Sequence, residues 1–398
     1  MSEESNLFRD IPMDVIRQEK YDASVVRLYS ILLVLHMTNN SIKQVFDIAP
    51  EAGGKLSLFI GLVFAFFFVR EFKNLNSGTL FVRLVLLEML FLVLYEISIL
   101  RYPAAQPAIM ARGVWTIAFC IPLASLVYGI RDSSKFVSKP MTIAMFIMFL
   151  EGIYVFFNNG IAIVKADYNM AFGYMLLLPT LYFIYQSHFN KWFLPLPVIL
   201  LILIILYASR GPILFTALFL FLLFLGKRDG TKKVKILFGL MVLGTIVYAS
   251  YDSILPKLVD TLGFHSRTLE KMLNGEKALT NLSGRDYIWM ETKEHIMEKP
   301  LLGWGTAGEL SYMVSYPHHF ILEVVLHYGI IVGSVIVVFV LGAVLRGLLV
   351  TKMRNPIILM FFCSGLGPLF LSGTYLMEPQ LWMLVALCLR RKLDYIDY

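Results

Sequence analysis

Chemistry at a membrane surface needs groups that bind anions and groups that move protons, and one stretch of this 398-residue chain concentrates both. It is the long polar interval from Asp252 to Pro317, with the start of the apolar segment after it. The sequence there includes SGRDYIWMETKEHIMEKPLLGWG (Ser283 to Gly305) and PHHFILEVVLHYG (Pro317 to Gly329). Five of the seven histidines fall between His265 and His327, alongside Arg267 and Arg285.

Ser283 is suited to cap a helix running from Gly284 to Glu298, because Pro300 disfavours helix at Lys299 and stops it. Arg285 then lies in the first turn, where unpaired amide donors and a partial positive charge already favour a phosphate or diphosphate. The alternative is an ion pair with Asp286 or another loop carboxylate. Arg210, in YASRGPILF, occupies a short turn between two apolar segments, with Pro212 fit for the start of the second. It is held at the membrane boundary, the depth of a lipid phosphate, unless it only snorkels to water.

The pattern HHFILEVVLHYG sets His319, Glu323 and His327 at steps of four on one helical face. A neutral imidazole at His318 or His319 suits a general base that takes a proton from a sugar hydroxyl. A zinc site on His319, Glu323 and His327 is disfavoured, since HExxH spacing is absent. Glu323 is better placed to orient a histidine or cap a polar pocket, and a purely structural histidine pair is the alternative. Trp304, between two glycines in PLLGWG, fits an interfacial anchor or a sugar-stacking face.

These groups must be positioned by membrane helices. With 58% hydrophobic and only 16% charged residues, the chain has more apolar side chain than one soluble core can cover. The apolar runs reach the roughly 20 residues a helix needs to span a bilayer, and no barrel-like alternation is present. The fold class is all-α, a polytopic membrane protein. A polar arm (1–23) precedes spans near Ser24–Phe46, Leu56–Val69, Thr79–Leu100, Gly113–Ile130, Met141–Phe157 and Asn169–Gln186. Further spans follow near Phe193–Ala208, Gly211–Leu225, Val234–Tyr251, His318–Leu345, Pro356–Ser372 and Tyr375–Leu389, about twelve in all. The domain reading is thus nine spans in 24–251, one large outer loop (252–317), three spans in 318–389, and a short tail (390–398).

With the N-terminus inside, the inner connections carry seventeen lysines and arginines and the short outer ones six, Lys43, Lys55, Arg101, Arg112, Lys165 and Arg210. That is the asymmetry of the positive-inside rule, and it puts both termini in the cytoplasm and the large loop outside. The net charge of +7 follows from the inner loops lying on anionic lipid, so nucleic acid is not an implied partner. Cys120, Cys363 and Cys388 fall in predicted spans, leaving the outer loop without a disulfide framework. Glu88, Glu96 and Glu151 within spans call for a polar interior.

Four motifs in order, SRGP at a short outer turn, SGR with Trp289 four residues after Arg285, PLLGWG, and a histidine pair opening an apolar helix, resemble the O-antigen polymerase and ligase superfamily of bacterial membrane glycosyltransferases. The specific part runs from Tyr207 to Gly333. The resemblance implies an enzyme without cofactor or metal, in the bacterial inner membrane, that takes a glycan from undecaprenyl diphosphate on the outer face. It places Arg210 and Arg285 on the diphosphate and gives His318 the acceptor hydroxyl. Members often have Asn at the next position, where this chain has His319, so both histidines stay candidates. DYNMAFGYMLLLP (Asp167 to Pro179) is similar to a segment of the polymerase branch and brings Asn169 and Tyr174 near the donor. Trp289, Trp304 and Glu323 are supporting candidates. The implied partners are the lipid-linked oligosaccharide, a glycan acceptor, the bilayer and a chain-length regulator. Polymerase is favoured over ligase by the DYNMAFGY segment and compact length. A flippase is disfavoured because the polar groups gather in one loop, with no internal repeats.

Overall fold

The computed structural model describes residues 13–46, 50–75, 78–166, 170–206, 210–226, 285–313 and 316–390. Helix is the main structure of these residues, with no strand among them. In chain order the helices are α1 (Met13–Val45), α2 (Pro50–Leu75), α3 (Gly78–Arg101), α4 (Gln106–Trp115), α5 (Ile121–Tyr128), α6 (Lys139–Ala166) and α7 (Met170–Met175). There follow α8 (Leu177–Gln186), α9 (Pro195–Leu206), α10 (Arg210–Gly226), α11 (Arg285–Glu298), α12 (Phe320–Val350), α13 (Pro356–Phe361) and α14 (Pro379–Cys388).

Three helical runs among the described residues are long and apolar enough to cross a membrane, Pro103–Tyr128, Ser133–Asn158 and Phe320–Val350. Lys191–Ile204, Gly211–Gly226, Pro356–Phe370 and Pro379–Cys388 are shorter apolar helices. The predicted span Val234–Tyr251, the basic connection at 227–235, and the outer loop through residue 284, with His265, Arg267 and Ser283, lie outside the described residues. So do residues 1–12 and 391–398. α1 begins at Met13, inside the expected arm, and continues without a break to Val45.

α1 packs chiefly against α2 and α6. Val25, Val26, Leu28, Tyr29 and Met37 are fully buried along it. Its polar second half makes sense in that setting: Thr38 donates to Glu151, and Ser57 accepts from Lys43 (2.8 Å) and donates to Asn39 (3.3 Å). Glu151 therefore faces the interior as predicted. Glu96 does not, because Tyr95 and Ser98 supply the buried side of α3 and turn Glu96 to the outside.

Prolines shape the remaining spans. Pro122 has no amide hydrogen to give, and a π-helical turn at Thr116–Cys120 precedes it, so α4 and α5 form one broken span. Pro368 follows a second π-helical turn at Phe362–Leu366 in the same way. Asn355 caps α13 by accepting from Ile357 (3.1 Å) and Ile358 (3.2 Å), with Pro356 at the first helical position.

Candidate functional site

α11 forms where the SGRDYIWMETKEHIMEKP pattern predicts, with Arg285 as its first residue and its end just short of Pro300. It packs on the start of α12 through its buried Thr292 and Ile296. The next segment folds back on itself. Gly303 and Gly305 take positive φ (65° and 85°), which lets the PLLGWG turn lie against the backbone of α12. There the amides of Trp304 and Gly305 donate to the carbonyls of Leu326 (2.8 Å) and His327 (2.9 Å), while Ile330 donates to Pro300 (2.7 Å). α12 can accept these bonds because it is broken at Gly329, whose φ of 78° and ψ of 172° are non-helical. A Cβ on Gly329 would collide with the Leu301 carbonyl. Hairpin and helix break are thus one interlocked unit.

Beneath this unit lies a fully buried polar network. Arg112 from α4 is paired with Glu309, whose other oxygen is 2.6 Å from His327 Nε2. His327 Nδ1 is 2.8 Å from the Tyr375 hydroxyl, which donates to Tyr328 (3.1 Å). One turn before His327, Glu323 accepts from the Thr374 hydroxyl and from the Tyr375 amide (3.4 Å). Burial alone would push the Glu309 acid up, but the His327 and Arg112 charges outweigh it and hold it down at about 2. Ligand atoms of Glu309, Glu323 and His327 lie within 4.8 Å of one another, a grouping that could hold a metal ion. Each is already engaged by a protein partner, and Arg112 supplies the positive charge.

The triad of His319, Glu323 and His327 is therefore not what the structure assembles. Glu323 and His327 meet, but Glu309 is the third member. His319 is the residue before the first turn of α12, with extended φ and ψ (−155°, 112°), and its ring packs elsewhere. It stands edge-on to Trp289 (5.4 Å) and Phe370 (5.6 Å). Trp289 Nε1 and His319 Nδ1 are both buried without a hydrogen-bond partner among the described residues.

His318 sits in the left-handed region at φ 55°, a conformation that costs a non-glycine residue energy and that recurs at functional positions. Its ring lies 4.3 Å from that of Tyr316, and Arg112 rests over the other ring's π system at 5.8 Å. The buried network thus reaches the histidine pair through Tyr316. Burial first, and then the Arg285 charge, lower the His318 imidazole to about 4; burial lowers His319 as well. Both rings are therefore neutral near pH 7, as a general base must be.

Trp304 is half-buried in the hairpin. Its indole donates to the His295 carbonyl (2.8 Å), it stacks on Tyr102 (5.9 Å, 23°), and the Lys299 ammonium lies 3.4 Å from its ring. These contacts fasten the hairpin to the end of α3. Arg210 opens α10, but its side chain lies outside what is described, as does Asn169 entirely. The neighbouring Gly211 has no room for a Cβ because the Tyr174 hydroxyl occupies it, so Tyr174 abuts the start of α10. Arg112, Glu309, Thr374 and Tyr375 were missed by sequence reasoning. The one available signal was the acid and histidine a turn apart inside an apolar span, which require buried partners.

Arg285 beside the histidine pair, and the start of α10 seated against Tyr174, both fall within the segment that carries the motif resemblance. Residues 196–337 match the family model described as O-antigen ligase. The match runs from α9 into α12, takes in Arg210, Arg285, His318, His319 and Glu323, and leaves out Arg112, Tyr174 and Tyr375. It is consistent with the O-antigen polymerase and ligase superfamily. No curated protein matches the chain.

Proposed function

We propose that the protein is a membrane polysaccharide polymerase that transfers a glycan from undecaprenyl diphosphate to a sugar hydroxyl of another lipid-linked repeat unit. Arg210 and Arg285 hold the diphosphate, and His318 or His319 takes the proton of the acceptor hydroxyl. The acceptor oxygen then bonds to the anomeric carbon as the bond from that carbon to the phosphate oxygen breaks. Undecaprenyl diphosphate leaves with both electrons, and the configuration inverts. The arginine charges take up the leaving group's negative charge, so the reaction as proposed needs no metal.

The observation that carries this reading is the packing of α11, which opens at Arg285, on the start of α12, which the histidine pair precedes, with Trp289 of α11 standing edge-on to His319 at 5.4 Å. An anion seat at a helix start and a neutral base on the adjoining loop are the two parts that displacement at a sugar phosphate requires. The match at residues 196–337 points to the same kind of activity. In this reading the site and the interval 252–317 face the outside of the inner membrane, with both termini in the cytoplasm.

The second reading, transfer of the finished glycan to a different acceptor such as a lipid A core, is favoured by the description of the matched family as O-antigen ligase. A gel of surface polysaccharide and lipid-linked glycan, from the host with this chain deleted and then complemented, separates the two. Single repeat units on the surface acceptor identify the polymerase. Full-length polymer held on the lipid carrier beside a bare acceptor identifies the ligase, and an unchanged profile contradicts both.

A further inference from the structure

A cavity of about 220 Å³ opens between α1, α4, α7 and the start of α14, and its walls join parts of the chain that the proposed reaction does not use. Tyr174 and Tyr316 line it on one side, so it adjoins both the start of α10 and the His318 loop. Tyr29, His36, Trp115 and Glu378 also line it, among apolar side chains such as Leu33 and Met148.

Two residues of this wall each carry a buried polar atom with no hydrogen-bond partner among the described residues. The Tyr29 hydroxyl, on a fully buried residue, and His36 Nδ1 make no hydrogen bond among the described residues. The His36 ring lies 4.7 Å from that of Trp115, whose indole N–H is fixed on the Met377 carbonyl at 3.0 Å. That bond sets the orientation of the tryptophan. The cavity thus combines a fixed aromatic ring with lining residues whose buried polar atoms are unsatisfied. Tyr29 itself is wedged edge-on between Phe136 (6.0 Å) and Phe361 (5.7 Å).

We propose that this cavity seats one sugar ring of the lipid-linked glycan, an inference that rests on the glycan-transfer reading. A pyranose has apolar C–H faces that lie on aromatic rings and an equator of hydroxyls that need partners, the two features the wall offers together. A prenyl chain would fill the same space but leave the Tyr29 hydroxyl and His36 Nδ1 buried and unsatisfied, which is unfavourable. Size selects in the same direction. The 220 Å³ corresponds to roughly seven waters at about 30 Å³ each and falls below the ~300 Å³ of an ordinary ligand cleft. It suits one ring and not a whole repeat unit. Tyr29, His36, Trp115 and Glu378 all lie outside the matched segment 196–337, so this pocket is where the chain would distinguish its own glycan.

The test uses the full-length protein in detergent and follows tryptophan fluorescence. One arm titrates the repeat-unit oligosaccharide released from the host's surface polysaccharide. A second arm uses the same oligosaccharide on a short-chain prenyl diphosphate, and undecaprenol serves as competitor. The expected result is a saturable change that Trp115→Phe removes, with at least a tenfold weaker Kd in Tyr29→Phe and His36→Phe at unchanged melting temperature. Response to the free oligosaccharide assigns the ring to the acceptor, whereas response only to the diphosphate-linked form assigns it to the donor. Equal affinity in wild type and both variants, no saturable change in either arm, or displacement by undecaprenol overturns the proposal. Sugar binding that depends on Tyr29 and His36, in a protein that transfers no glycan, upholds the cavity and contradicts the transfer reading alone.

Discussion

At the scale of single residues, the decisive relation is between Arg285 and the imidazoles beyond it. Burial and that guanidinium hold His318 at about 4 against an ordinary 6.5. The depressed value means that His318 stays neutral, and able to accept a proton, well below pH 6. NMR titration of the His318 ring should therefore give a midpoint near 4, and Arg285→Gln should raise it by only part of the difference, because burial is the larger cause. A midpoint indifferent to Arg285 would contradict their proximity. The helix that opens at Arg285 was legible from the sequence because a helix start and a proline stop are local patterns. Arg112 was not. In sequence it is one cation in a short outer connection, and its partner Glu309 is 197 residues away. Glu309 in turn gives no local sign that it will be buried.

At the scale of elements, the hairpin after α11 and the break in α12 depend on each other and on the ion network beneath them. Glu309→Ala would leave Arg112 buried without its partner, and breaking such a pair typically costs about 3–5 kcal/mol. The melting temperature in detergent should fall accordingly, and a change within error would contradict a stabilising role. The pH dependence has a definite sign. The Glu309 acid is depressed from 4.5 to about 2 in the folded protein, so its stabilisation is complete above pH 4.5 and is lost as pH falls toward 2. Glu309→Ala should remove that part of the acid sensitivity.

Gly329→Ala places a side chain at φ 78° against the Leu301 carbonyl. Strain of this kind costs on the order of 1–3 kcal/mol before the collision is counted, so this variant too should melt earlier. The α11 boundaries could be read because Pro300 marks them. The break at Gly329 could not, since the apolar run of α12 continues on both sides and only the docking of a distant turn makes the interruption favourable.

At the scale of the whole molecule, the apolar runs predicted an all-helical chain, and the described residues form helices joined by turns with no strand among them. Several spans are less simple than their composition suggests, because Pro122 and Pro368 each follow a π-helical turn. The second half of α1 carries Thr38, Asn39, Asn40 and Lys43 within a helix otherwise rich in apolar residues. Glu151 and Ser57, from α6 and α2, supply the bonds that explain them. Which polar group meets which depends on helix packing, and that is not written in any one segment.

The charge asymmetry predicts a testable orientation. The native cysteines Cys120, Cys363 and Cys388 are buried and should react little with a membrane-impermeant maleimide. Tyr287→Cys, at an exposed position on α11, should label in intact spheroplasts, whereas Lys191→Cys should label only after permeabilisation. The reverse pattern would turn the proposed site to the cytoplasm.

The most direct test of the central claim is glycan transfer by the purified, lipid-reconstituted protein supplied with undecaprenyl-diphosphate-linked repeat units and followed by the ladder of products. The account predicts elongation by the wild type and a loss of at least about 10²-fold in His318→Ala, the usual scale for removing a general base. It predicts a comparable loss in Arg285→Ala, with both variants inserted and melting as the wild type does. If His318→Ala keeps full activity while His319→Ala loses it, the base is His319. Full activity in both Arg285→Ala and His318→Ala would contradict the account.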